Sequence, residues 1–516
     1  MEALSAAGDR TGALRFARIH EARLREELDT GLDAEVAAVA GRLREPAAGR
    51  GTATAAPAAS VAVLPFVNLT PDRENEYFSD EMTEALTDAL TRVPGVRVAA
   101  RTSAFAFKDK NVDAREIGTA LRVGALVDGS VRKVGDRIRL AVRLIDARDA
   151  YQLWSQTYDR TVADVFALQE ELSQAIVRAL PLPGSAASPP LVRPGTGVPE
   201  AYTLYLRGRY FALKRTAEGL RVGIEYFEQA IERDPEYALA RAGLAECHAL
   251  LGFEEFGDLP PQDAMPRARA TALRALELDP LLAEAHHWRA VVAFLFDWDF
   301  EAAEAGLRRA IELKPTASLA HVWLAVLLCA LGRFEEATRR MLHAEELDPM
   351  NLSLQTVVGL VHYFSGRFDE ARRRLLAARD MDPERVRAVT WLSKAYAAAG
   401  RHAEALRTAE AGIARLGRLP PLLSIEAALL AALGRRAEAR RLLQELSESA
   451  SSRYVAPSLL ARPHWSLGEP DAAMGYLEQA YQARSAVLPF CAMEPWWTDC
   501  RADPRFRDLL ARMGLP

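Results

Sequence analysis

Apolar positions in the carboxyl-terminal half of this chain recur in blocks with a fixed step of 34 residues. Met341, Leu375, Leu443 and Leu477 keep that step, each four residues after Ala337, Ala371, Ala439 and Ala473, and Ala405 completes the alanine row. Gly332, Gly366, Gly400, Gly434 and Gly468 run five residues ahead of the alanines. Pro315, Pro349 and Pro383 share the period, and Gly417 takes the next place in that row. Such a period means one supersecondary unit stacked on copies of itself. The glycine suits the end of a first helix, where the backbone needs positive φ. The segments from Arg333 and from Arg367 then read as starts of a second helix. The small alanine lets the two helices approach closely, and the proline ends the second one.

Upstream the pattern changes. "VAVLPFVNL" is a short apolar run suited to a buried strand. Ser79 is placed to cap a helix with Met82, Ala85, Leu86, Ala89, Leu90 and Val93 on its apolar face. Pro94-Gly95 ends it, Val96 to Ala100 reads as a strand, and Asp113 with Glu116 resembles a capping box before a helix through Leu121. Ile138, Leu140, Val142 and Leu144 then alternate with Arg137, Arg139 and Arg143, after the hairpin signal Gly135-Asp136. A strand over Tyr151–Tyr158 and a helix with Val165, Leu168, Leu172, Ala175 and Ile176 close the region. The expected order is β-α-β-α-β-β-β-α.

These patterns divide the chain. Residues 1–45 form a helical fragment, with Leu14, Ala17, Leu24 and Leu28 on one helix and Val36, Val39, Ala40 and Leu43 on another. Residues 46–60 and 181–200 are Pro/Ala/Gly/Ser-rich and read as flexible linkers. Residues 61–180 form a small α/β domain. Residues 201–485 hold about eight repeats, with loop insertions near Lys214–Glu218 and Gly252–Pro266. Residues 486–516 cap the array, ending in a helix with Phe506, Leu509, Leu510 and Met513 on one face.

The glycine, alanine, large-apolar and proline spacing resembles the tetratricopeptide repeat, which implies a mainly α fold, a right-handed solenoid that binds protein partners. "VAVLPFVNLTPDRENEYFSDEMTEAL" and "LIDARDAYQLWSQTYDR" resemble the TolB-like amino-terminal domain, which implies an interaction module without catalytic residues. "AAGDRTGALRFARIHEARLREEL" resembles the close of the bacterial transcriptional activation domain. In that family the module follows a winged helix. Here the sequence begins inside the module, so nucleic-acid binding by this chain alone is not expected.

Composition agrees with a folded protein: 50% hydrophobic, 26% charged and a net charge of −5. The charges are interspersed, with no basic run for nucleic acid. No stretch approaches the roughly 18 apolar residues of a membrane span, and Met1 to Arg15 lacks a signal-peptide layout. A cytoplasmic location and no membrane partner are expected. Cys247, Cys329, Cys491 and Cys500 have no metal-ligand spacing. The chain carries no phosphate loop, dinucleotide fingerprint, nucleophile elbow or zinc helix motif, so no catalytic, cofactor-binding or metal-binding residue is expected.

Weaker pairs read structurally. His286-His287 and Cys247-His248 are adjacent on helices and point about 100° apart. The acidic cluster Asp72, Glu74, Glu76, Asp80, Glu81 and Glu84 reads as a solvated helix start. Trp496-Trp497 reads as either a recognition patch or, preferably, a seal on the solenoid end.

The expected functional surface is the concave groove, lined by the first helix of each repeat. It takes Glu284, His287 and Phe294, then Thr356, Leu360 and Tyr363, then Arg387, Thr390 and Lys394, and its occupant would be a protein or peptide. The expected function is a non-enzymatic scaffold or sensor arm in a bacterial regulatory system. The alternative is a transcription regulator that has lost its winged helix.

Overall fold

The computed structural model describes residues 60–70, 76–180, 191, 195–253, 259–383, 386–451 and 454–515. All belong to one compact unit, residues 56–516. The expected amino-terminal helices, Asp72, Glu74 and residues 46–59, 181–190 and 192–194 of the two expected linkers lie outside the described residues. The described part of the second is not a flexible linker, since Leu191 is buried against the α/β core and a helix begins at Pro199.

The α/β domain is built on a sheet of order β3-β1-β4-β5-β6, with β2 also pairing with β4. Its strands are β1 (Ser60–Val63), β2 (Val67–Asn68), β3 (Arg97–Val98), β4 (Ala125–Val134), β5 (Arg137–Asp146) and β6 (Gln152–Thr161). β1 runs parallel to β3 and β4, while β4, β5 and β6 are antiparallel neighbours. All four residues of β1 are buried, as a strand covered on both faces requires. Val61, Val63 and Val127 face helices α1 (Glu76–Thr91) and α4 (Val165–Ala179). Ala62 and Leu126 face α3 (Ala114–Leu121) on the other side. The β4–β5 hairpin turns at Gly135, whose φ of +60° fits the two-residue loop.

Two short elements escaped the sequence pattern: β2 and the five-residue helix α2 (Arg101–Phe105). Ser79 is not a cap. It lies inside α1, fully buried, and its carbonyl accepts from Thr83 Oγ1 at 2.9 Å. Asp113 does cap α3, accepting from the Arg115 N–H rather than forming the reciprocal box.

Among the described residues, sixteen helices between Pro199 and Gln482 form the array. The first ten are α5 (Pro199–Ala212), α6 (Ala217–Arg233), α7 (Ala238–Leu251), α8 (Pro261–Leu278), α9 (Ala283–Val292), α10 (Phe300–Leu313), α11 (Ser318–Ala330), α12 (Phe334–Leu347), α13 (Leu352–Phe364) and α14 (Phe368–Met381). The rest are α15 (Val386–Ala398), α16 (His402–Leu416), α17 (Pro420–Ala432), α18 (Arg436–Ser449), α19 (Ser458–Ser466) and α20 (Pro470–Gln482). Each odd-numbered helix packs on the even-numbered one after it.

The periodic residues do what their chemistry dictates. The five glycines have φ between +73° and +80°, and the residue after each donates back to the preceding helix, as Arg333 N–H does to the Leu328 carbonyl at 2.8 Å. The five alanines are all fully buried. One period upstream of Gly332 stands Trp298, also at positive φ (+60°), after a π turn over Ala293–Asp297. A bulky residue rarely adopts that conformation. Here the indole is held by Tyr481, 4.9 Å between ring centroids, and by the Arg484 guanidinium at 3.9 Å.

That contact closes the array on itself. Gln262 Nε2 donates to the Gln482 carbonyl at 2.5 Å, and Phe490 meets Phe294 at 5.5 Å. The last helix, α21 (Pro504–Arg512), buries Phe506, Leu509 and Leu510 against the end of the array. Among the described residues no helix is long and apolar enough to cross a membrane.

Candidate functional site

Closure of the array changes what its inner face presents. Of the nine groove residues read from sequence, His287, Phe294, Thr356, Leu360 and Tyr363 are buried. Phe294 and Tyr363 are packing residues: Phe294 touches Phe300 and Phe490, while Tyr363 touches Phe364, Phe368 and Trp391. Repeat phase alone could not show this, because the segment after α20 returns into the inner face and covers them. Glu284 lies elsewhere, paired with Lys314 at 3.2 Å beside the α/β domain. Only Arg387, Thr390 and Lys394 come together, on α15, where they line one partly open pocket of about 180 Å³.

The rest of that cavity comes from elements far apart in sequence. Trp391 shares α15, Trp323 comes from α11, Arg462 from α19, and Phe490, Glu494 and Trp496 from the returning segment. Lys394 Nζ bonds Glu494 Oε1 at 2.7 Å and lies 4.4 Å from the Trp391 ring centroid and 5.8 Å from that of Trp496. Arg462 pairs with Asp499 at 2.5 Å and faces the Trp496 ring at 5.2 Å. Trp391 was legible in principle, since positions 387, 391 and 394 share a helix face. Nothing marked Glu494 or Phe490, whose roles depend on chain closure. Trp497 stacks on Phe506 at the end of the array, and both Trp496 and Trp497 line the pocket.

The other candidate groups are chemically quiet. Burial pushes the Cys247 thiol far up and Cys329 up to about 12, so neither is a ready nucleophile. Burial and the Arg267 charge pull His248 down to about 4. The acidic cluster is not a solvated helix start in its described part. Glu76 and Asp80 both bind Lys108, at 2.8 and 2.6 Å, and Glu84 binds Arg209 and Arg101, at 2.8 and 3.2 Å. Among the described residues no group of three or more His, Cys, Asp or Glu side chains is placed to hold a metal ion.

His287 makes acid sensitivity testable. It is 5% exposed, with neither ring nitrogen hydrogen-bonded. Burial holds it at about 3 against an ordinary 6.5, with only partial opposition from Glu284. Its folded value therefore lies below its unfolded one. The stability tied to the neutral ring is intact above pH 6.5 and is lost as pH falls toward 3. Between pH 7 and pH 5 His287 should cost about 2 kcal/mol. Urea unfolding of the protein and of His287→Leu at both pH values checks this. The variant should lose that much less on acidification, and equal losses would refute the assignment.

An array of paired helices with glycine-closed first helices and alanine-tight seams is a helical repeat solenoid. Residues 213–252, 299–339 and 359–418 match the tetratricopeptide repeat family, and the chain carries tetratricopeptide repeats. It is 34% identical over 233 residues to a protein of Rhizobium meliloti (strain 1021) named "Putative adenylate cyclase 3", covering 45% of this chain and 40% of that relative. The chain thus spans less than half the length of the curated relative it matches. Among solved structures, a tetratricopeptide repeat protein from Parabacteroides merdae ATCC 43184 is similar at 14% identity and a TM-score of 0.38, covering 52% of this chain and 99% of that one. Yeast Tom70 is similar at 18% identity and a TM-score of 0.38, covering 60% and 67% respectively.

Proposed function

We propose that this chain is a non-enzymatic scaffold, a sensor arm that works through protein partners in a bacterial regulatory system. The observation that carries this reading is that Cys247, Cys329, His248 and His287 are buried within repeat helices, while the repeats build a framework for binding. A cavity of about 180 Å³ is too small for a peptide segment, so protein partners would engage the outer surface of the array. The likeness to a protein named for a putative cyclase, over 40% of that protein's length, is compatible with a regulatory arm. Purified chain given ATP and Mg²⁺ should form no cyclic AMP, and photo-crosslinks placed along residues 199–482 in cells should trap a regulatory protein. Turnover that disappears when one polar side chain is removed would overturn the reading.

A further inference from the structure

α3 covers only part of the sheet face it packs on. Past Leu126, that face carries Asp128, Ser130, Arg132 and Val134 of β4, because alternate residues of a strand share a face. Their register partners on β5 are Arg143, Ala141, Arg139 and Arg137. Arg132, Val134, Arg137, Arg139 and Arg143 are all exposed. β2 adds to this surface, with Val67 in register with Ser130. Val67, Leu69 and Val134 are 56%, 57% and 62% exposed. A partly open groove of about 1270 Å³ is lined by Val67, Leu69, Ser130 and Ala141, with Val112 from the α2–α3 loop. That exceeds the roughly 300–1,000 Å³ of a small-molecule site.

The arginines here work against the fold. Arg132 stands directly opposite Arg139, and like charges so placed destabilise a sheet. Charged residues guard edge strands against unwanted pairing, but β4 and β5 are interior to this sheet. Arg143 is neutralised by Asp128, through bonds of 2.9 and 2.6 Å. Arg139 only approaches Asp159 at 4.0 Å, where side-chain exposures of 66% and 64% leave the pair in solvent. Among the described residues, the Arg132 and Arg137 side chains have no hydrogen bond or ion pair. The cluster therefore costs the fold stability without a compensating bond at either residue.

Charge and shape together choose an occupant. A guanidinium fork matches a carboxylate bidentately, and Val67, Leu69 and Val134 offer surface to apolar side chains. The whole chain carries a net charge of −5, which opposes long polyanions such as nucleic acid or an anionic membrane. A short segment meets the arginine patch alone.

We propose that this sheet face docks a short acidic segment of a partner protein, its carboxylates on Arg132, Arg137 and Arg139 and its apolar side chains against Val67 and Leu69. This rests on the reading that the chain works through protein partners, and it gives the α/β domain a partner of its own. Because the test uses purified chain and synthetic peptides, its failure would leave cross-links from the array standing.

A random peptide library panned on the purified full chain should enrich sequences rich in Asp and Glu with apolar residues between them. The best of them, labelled and followed by fluorescence anisotropy, should bind at least about tenfold more weakly when salt rises from about 50 to about 500 mM. Reversing charge with Arg132→Glu and Arg139→Glu together should weaken it at least about tenfold. Arg132→Thr should weaken the peptide while raising the urea midpoint, since it removes the opposed pair. That variant keeps the test decisive if the charge-reversed chain does not fold. No enrichment, enriched peptides without acidic excess, or equal affinity for the folded charge-reversed chain would overturn the proposal. So would a lower urea midpoint for Arg132→Thr, which would make Arg132 structural. A single-stranded RNA oligonucleotide that bound more tightly than the best peptide would also overturn it.

Discussion

Tyr363→Ala should destabilise the array by about 3–5 kcal/mol, the range for deleting a large buried aromatic side chain. Tyr363 is 0% exposed on α13 and meets Phe364, Phe368 and Trp391 at centroid distances of 5.6, 6.1 and 5.6 Å. The repeat phase places it among the groove-lining residues, where truncation would be expected to cost little. Burial reverses that expectation, because truncation leaves a cavity beneath three aromatic rings. Repeats couple mainly to their neighbours, so amide exchange should quicken first in α13 to α15. Trp391 would lose its backing and the cavity it lines would loosen. Tyr363→Phe keeps the ring and should stay within about 1.5 kcal/mol of the parent. Urea unfolding of both variants is the check, and an unchanged midpoint for Tyr363→Ala would return the residue to the surface.

How much of this was legible beforehand follows from the range of the interactions. Repeat helices depend on local chemistry, a glycine at positive φ and an alanine at a tight seam, and such signals recur in phase. The β4–β5 hairpin was equally local, since Gly135 and the alternation from Ile138 to Leu144 fix turn and register together. α2 is too short to show a period, and Ser79 was read as a cap because the burial of α1's first turns depends on other elements. Among candidate site residues, the reading placed Arg387, Thr390 and Lys394 on one face of a first helix, and they do share a cavity. It could not see that residues after Gln482 return to residues near Gln262, 220 positions away. That return narrows the expected groove to a partly open pocket. It also supplies Phe490, Glu494 and Trp496.

Arg209→Met should release the α/β domain from the array, at a cost near the lower end of the roughly 3–5 kcal/mol for breaking a buried ion pair. Arg209, on α5, bonds Glu84 of α1 at 2.8 Å and Glu246 of α7 at 3.3 Å, with side-chain exposures of 21%, 21% and 7%. It is flanked by Lys314 to Asp88 at 3.2 Å and by Ser103 Oγ donating to Asp348 Oδ1 at 2.7 Å. Burial by itself would raise the Glu84 carboxyl, but the Arg209 and Arg101 charges overcome it and hold Glu84 at about 2. The folded value lies below the ordinary 4.5. This stabilisation is therefore present above pH 4.5 and is lost as pH falls toward 2. Methionine keeps most of the stem's packing, so the loss should come mainly from leaving buried Glu84 with Arg101, at 3.2 Å, in place of two arginine partners. Adding Glu84→Gln should then recover part of it, since a neutral amide tolerates the site better than a carboxylate that has lost one of its two arginines. A double-mutant cycle read by urea unfolding, with amide exchange across α1 and α5, tests both halves. Strictly additive losses would show that the Arg209–Glu84 pair does not couple the two parts of the protein.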